Sequence, residues 1–137
     1  MITAHKTNIG ASKQGYAMTN GFALEIVGFC IGDGGHNPLN GNPITVDRNV
    51  SSLPGLKYKV DNSEAVSVSV IDKTSIQVEC SLRAGEAVGI DYSNLGLFAK
   101  VVDDSTELKE SFLYAIANFS KMTREEGSLK FIVKIYN

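Results

Sequence analysis

Between Val66 and Leu82 the chain alternates apolar and polar residues with period two on both sides of a short polar connection. Val66, Val68 and Val70 alternate with Ser67, Ser69 and Ile71; after Asp72-Lys73, Ile76, Val78, Cys80 and Leu82 alternate with Gln77, Glu79 and Ser81. Successive side chains of a strand point to opposite faces, so this pattern predicts a β-hairpin with one face buried. A lone hairpin is marginal in water, and the rest of the chain must cover that face.

The remaining segments supply the cover. Thr7 or Asn8 can cap a helix running through Ile9, Ala11, Tyr16, Ala17 and Met18, with Asn20-Gly21 as its stop. Gly10 and Gly15 weaken that helix by about 1 kcal/mol each relative to alanine. Phe22 to Ile31 is short and rich in branched and aromatic residues, which predicts a strand. A further strand is expected over Leu95 to Val102. Asp103 to Glu110 is polar and acidic, hence an exposed loop. Phe112 to Phe119 and Leu129 to Tyr136 read as a second hairpin joined through Thr123-Arg124-Glu125-Glu126-Gly127. In its last strand Leu129, Phe131, Val133 and Ile135 share one face, opposite Lys130 and Lys134. No repeat, heptad or composition shift divides the chain. A helix followed by mainly antiparallel strands predicts one α+β, mostly β domain over residues 1–137, built as a sheet or sandwich.

Gly32 to Pro43 stands apart. It reads Gly-Asp-Gly-Gly-His-Asn-Pro-Leu-Asn-Gly-Asn-Pro, with four of thirteen glycines and two of three prolines. No regular ladder or helix survives such a run, so it is a loop long enough to carry function. Within it, Gly32-Asp33-Gly34 can take positive φ and reverse the chain tightly. His36, Asn37, Asn40 and Asn42 are the candidate partner contacts, because loops on a rigid scaffold often carry binding. Further along, Gly96 before Leu97 and Phe98 would let another backbone approach closely while the aromatic ring fills the core.

Composition narrows the function. The 137 residues are 43% hydrophobic and 20% charged, the balance of a folded domain and not of a disordered chain. Thirteen Lys and Arg against fifteen Asp and Glu give a net charge of −2, so no dominant basic surface invites nucleic acid. No stretch approaches the ~20 apolar residues that cross a bilayer. Met1 to Thr7 shows no secretory pattern. Cys30 and Cys80 lie inside apolar strand-like segments and read as buried free thiols from a reducing compartment.

Catalytic and metal-binding patterns are sparse. His5 and His36 are the two histidines, with His5 near the terminus. Cys30 lies six residues from His36, but a thiol among apolar neighbours is held protonated and not activated. No nucleophile elbow, phosphate loop or zinc helix occurs. Asp33, His36 and the loop asparagines offer too few carboxylates for calcium, and a turn role explains Asp33. Zinc would need more Cys and His. Asp103-Asp104 and Glu125-Glu126 read as solvated charge rather than a glycosidase pair. Tyr58, Tyr92, Tyr114 and Tyr136 fall in strands and are expected in the core or half-buried. The expectation is a non-enzyme without catalytic residues, cofactor or metal; a small carbohydrate-binding module using loop Asn, Asp and Tyr is the alternative.

Several segments, in order, resemble the amino-terminal domain of the phage tail-collar fibre protein family, which joins tail fibres to the baseplate of contractile-tailed phages. Thr7, Asn8 and Gly10 match the family's helix opening, and Gly21 precedes an apolar strand running into Gly32-Asp33-Gly34. Pro38 to Leu53 and Lys57-Tyr58-Lys59-Val60 resemble its proline loop and the approach to a hairpin. Asn94-Leu95-Gly96-Leu97-Phe98-Ala99 resembles its Gly-Leu-Phe segment, and Phe112–Phe119 with Leu129–Asn137 its final strands. The resemblance implies a virion structural protein made in the bacterial cytoplasm. Its partners would be baseplate and tail-fibre proteins, not nucleic acid or membrane, and it would form a homo-oligomer, a trimer in that family. Family members continue into a shaft and receptor-binding tip, whereas this chain ends with the attachment domain, which implies an adapter or a shortened fibre.

Overall fold

The computed structural model describes residues 2–103 and 109–136. Strand β1 (Ile2–Lys6) precedes helix α1 (Asn8–Thr19). Strands β2 (Ala23–Gly32), β3 (Leu56–Val60), β4 (Val66–Asp72), β5 (Ser75–Leu82), β6 (Asp91–Val102), β7 (Phe112–Thr123) and β8 (Leu129–Tyr136) follow. The fold is mostly β with one helix near the amino terminus, as the pattern predicts.

All eight strands belong to one sheet in the order β3-β2-β6-β7-β1-β8-β5-β4. Its pairs are antiparallel except β1 with β8. The sheet is folded over. Phe29 on β2 and Phe131 on β8 have ring centroids 6.4 Å apart, whereas four strand spacings in a flat sheet would separate them by roughly 19 Å. Strand β1 makes the fold-over: Ile2 to Ala4 pair with Val133 to Ile135 of β8, while His5 and Lys6 pair with Ile116 and Ala115 of β7. The two halves thereby face each other across one core. Phe29, Ile31, Leu95 and Leu97 meet Val78, Cys80, Phe131 and Val133 there.

Helix α1 begins as its sequence requires. Thr7 Oγ1 accepts the Gly10 amide at 2.9 Å, and the chain leaves through Asn20 and a left-handed Gly21. Gly10 is the point of contact with the sheet, since a Cβ there would collide with the Tyr114 carbonyl. Gly15 faces open space.

Four sequence expectations need correction. The first residues form a paired strand, so His5 is held in the sheet opposite Ile116. β7 and β8 are not a hairpin; β1 lies between them. The predicted β4–β5 hairpin forms, with Val68 opposite Val78, Val70 opposite Ile76 and a register shift between Val70 and Asp72, but only β5 is buried. Ser67 to Asp72 are all exposed, because β4 is an outer strand of the sheet; of its valines only Val66 is half-buried against the core. Tyr136 is also exposed, with Lys134 Nζ 4.8 Å from its ring centre. Of the Asp103–Glu110 loop, residues 104–108 lie outside the described residues; Lys109 and Glu110 are exposed and irregular.

Candidate interaction surface

The two segments singled out in the sequence lie side by side. β2 and β6 are antiparallel neighbours in which Cys30 opposes Gly96, Ile31 opposes Leu95 and Gly32 opposes Asn94. The chain leaving β2 then packs on the ends of two neighbouring segments. A Cβ on Gly32 would sit 2.7 Å from the Gly55 carbonyl oxygen, and one on Gly34 or Gly35 would overlap the carbonyls of Pro54 and Ser93. None of the three has a positive φ; that belongs to Gly55 and, further on, Gly41. The run is therefore glycine because three backbones meet there, and not because the chain reverses.

Polar groups tie the junction. The Gly35 amide donates to Ser93 Oγ at 2.9 Å, and His36 Nδ1 lies 2.7 Å from the same hydroxyl. Asn94 Nδ2 donates to the Pro54 carbonyl at 2.9 Å. Asn94 Oδ1 is buried without a hydrogen-bond partner among the described residues, 2.8 Å from where a Gly32 Cβ would stand. Asp33 pairs with Lys57 at 3.5 Å, and its amide donates to the Gly55 carbonyl.

Gly96 serves differently from its expected role. Its Cβ space is taken by the side chains of Leu113 and Cys30, not by another backbone. Leu97 is fully buried in the main core, whereas Phe98 is half-buried beside a smaller cluster of Cys30, Leu53, Leu113 and Ile116. Lys59 Nζ sits 4.5 Å from the Phe98 ring centre, a cation–π arrangement at the edge of the molecule.

Beyond the junction, residues 36–43 form a closed knob. His36 bridges to Pro43. The Asn37 amide donates to the Asn42 carbonyl and the Gly41 amide to the Asn37 carbonyl, both at 2.8 Å. Asn37 Oδ1 accepts the Leu39 amide, and Asn40 Oδ1 accepts the Asn42 amide. Asn37 and Asn40 are thus Asx-turn builders, and their side-chain oxygens are spent on the loop itself. The Lys121 amide and the Asn118 side chain fasten the segment to β7 through the Gly41 and Ile44 carbonyls. At the tip stands Leu39, 93% exposed. It is the exposed apolar residue that the candidate contacts of the loop left out, and the only signal for it was one large apolar side chain within a polar run.

The nucleophile candidate is spoken for. Cys30 Sγ lies 3.8 Å from the Gly96 carbonyl oxygen, and burial pushes its pKa up to about 12. Cys80 is likewise free, buried and raised to about 12. Among the described residues no three His, Cys, Asp or Glu side chains gather as metal ligands. What the surface presents is a locked polar loop with Leu39 exposed at its tip, and, at one edge of the sheet, the largely exposed strand β4. Comparison with protein-family models, with curated proteins and with solved structures finds no match.

Proposed function

We propose that this chain is a structural component of a contractile phage tail, a module that attaches or adapts tail fibres to the baseplate through protein–protein contacts. The order of landmarks from Thr7 to the final strands carries the family resemblance. One geometric observation gives it weight: two of those landmarks, some sixty residues apart, are adjacent strands in register, Cys30 with Gly96 and Gly32 with Asn94. Segments that look like scattered short motifs in the sequence are one packed node. That node holds the Leu39 knob rigid, so a partner docking there orders few side chains on binding.

The test is compositional. Mass spectrometry of density-purified phage particles encoding this chain should find it at a level stoichiometric with baseplate proteins, and Leu39→Asp should reduce its incorporation without shifting its melting temperature. Particles that lack the chain overturn the reading. Specific binding of the purified protein to a glycan array, lost on changing Asp33 and Asn37 to alanine, would replace it with the carbohydrate-binding one.

A further inference from the structure

A sheet has two outer strands, and this chain treats them oppositely. β3 carries Lys57 and Lys59 within Leu56–Val60, the charged guard that keeps sheet edges from pairing with other chains. β4 reads Val-Ser-Val-Ser-Val-Ile-Asp, with no charge from Val66 to Ile71 and no proline. Val68 is 49% exposed and Val70 78%. Among the described residues its only strand partner is β5, so one side of its backbone has no strand beside it in the sheet. The hairpin tip is firm: Asp72 Oδ1 accepts the Thr74 amide at 2.8 Å and the hydroxyls of Thr74 and Ser75. β4 is therefore a stiff, neutral strand with an open edge.

We propose that β4 is a homotypic docking edge, pairing antiparallel with β4 of a second copy about a two-fold axis at Ser69. The segment is self-complementary in that register. Val68 of one copy opposes Val70 of the other, Ser67 opposes Ile71, and Ser69 opposes itself. Directly opposed side chains share a face, so the valine faces of the two copies become continuous. At each end Lys73 comes opposite Ala65, next to Glu64, so unlike charges meet twice. The neighbouring face-matched registers lack this. A shift of the axis to Val68 sets Asp72 against Glu64, and a shift to Val70 sets Asp72 against Val68. A neutral edge also suits a like strand, since no charge repeats against itself. This inference does not depend on the tail reading; an unguarded edge would pair the same way in any setting.

The register makes an unusual demand. A residue opposite its own copy has Cα atoms about 4.5–5.5 Å apart, within the range that a disulfide spans. Ser69→Cys in the full chain should therefore form a covalent dimer under mild oxidation, seen on non-reducing gels. Ser67→Cys alone should not, but should cross-link when mixed with Ile71→Cys. Both native cysteines are buried, which keeps background low. Sedimentation velocity should show the unmodified chain passing from monomer to dimer as concentration rises, and Val70→Lys, at an exposed site, should keep it monomeric with unchanged melting. A chain that stays monomeric at every concentration, a trimer unaffected by Val70→Lys, or Ser69→Cys cross-linking no better than Ser67→Cys overturns the proposal.

Discussion

Arg124 should be worth more to stability than any other surface-loop residue of this chain. It follows β7 in a connection that sequence alone reads as solvated, yet it is only 3% exposed. Its Nε donates to the Glu86 carbonyl at 3.1 Å, and one Nη to the carbonyls of Arg83 at 2.9 Å and Gly127 at 2.6 Å; the other Nη reaches the Glu125 carbonyl. The backbone adds two bonds, Gly89 amide to Arg124 carbonyl and Arg124 amide to Ile90 carbonyl. The guanidinium thus clasps the 83–90 loop to the β7–β8 connection, joining the two halves of the folded sheet at one end. Hydrogen bonds to a charged group contribute about 1.5–3 kcal/mol each, but after truncation water can reach part of a loop carbonyl. An overall cost of about 3 kcal/mol for Arg124→Ala follows, a large share of the 5–15 kcal/mol typical of a domain. Arg124→Lys should recover little, because one ammonium cannot reach acceptors spread around a planar fork. Urea unfolding should show the midpoint falling with an unchanged slope, and hydrogen exchange should quicken in residues 83–90 and 124–127 first. An Arg124→Ala protein within about 1 kcal/mol of the parent would refute the clasp.

The same substitution at two helix positions should act with opposite sign. Gly15→Ala, into open space, should stabilise by about 0.5–1 kcal/mol, while Gly10→Ala, against the Tyr114 carbonyl, should destabilise by about 1–3 kcal/mol; thermal melts decide both. Alkali should unfold the protein early. Burial holds Cys30 and Cys80 at about 12, against roughly 8.5 in an unfolded chain. Below pH ~8.5 both states keep these protons and stability is flat in this respect. Above it the unfolded chain releases two protons the fold retains, so stability falls, by about 4 kcal/mol at pH 10. Urea titrations at pH 7 and 10 measure the drop, and no change between them would contradict it.

The sequence made pairing legible where pairing is local and burial is one-sided. The alternation around Asp72-Lys73 marks the β4–β5 hairpin, because side chains of a strand alternate with period two, but not the register shift between Val70 and Asp72 near its turn. It could not show that Val68 and Val70 end up exposed, since a valine facing solvent and a valine facing a core look alike in the chain. The Gly32–Gly35 run was legible as special but for the wrong reason. A glycine needed for close backbone approach and one needed for positive φ are the same letter, and only the carbonyls of Pro54, Gly55 and Ser93 decide between them. Leu39 and Arg124 went unrecognised for a common cause: each runs against its residue type, an apolar side chain outside and a charged one inside.

Strand β1 is the deepest omission, and the most consequential. Ile2 to Lys6 contains Thr, His and Lys and has no clean alternation, so nothing local marks it as central. Its place depends on two strands more than a hundred residues away, and one of those pairings is parallel, which no adjacent turn can create. The local pattern of β7 and β8 invites a hairpin only because β1 is invisible to it. Removing residues 2–6 should therefore do more than trim a terminus. It takes away the ladder to Val133–Ile135 and to Ala115–Ile116 together with the buried Ala4. At a net ~1 kcal/mol per lost bond, that approaches the stability of the whole domain. β7 and β8 would each gain a bare edge in the middle of the sheet. The shortened chain should lose its cooperative urea transition and its near-ultraviolet dichroism while keeping much of its strand signal. If it instead unfolds cooperatively at the parent's midpoint, β1 is an accessory strand, and the two halves of the sheet hold together through their shared core alone.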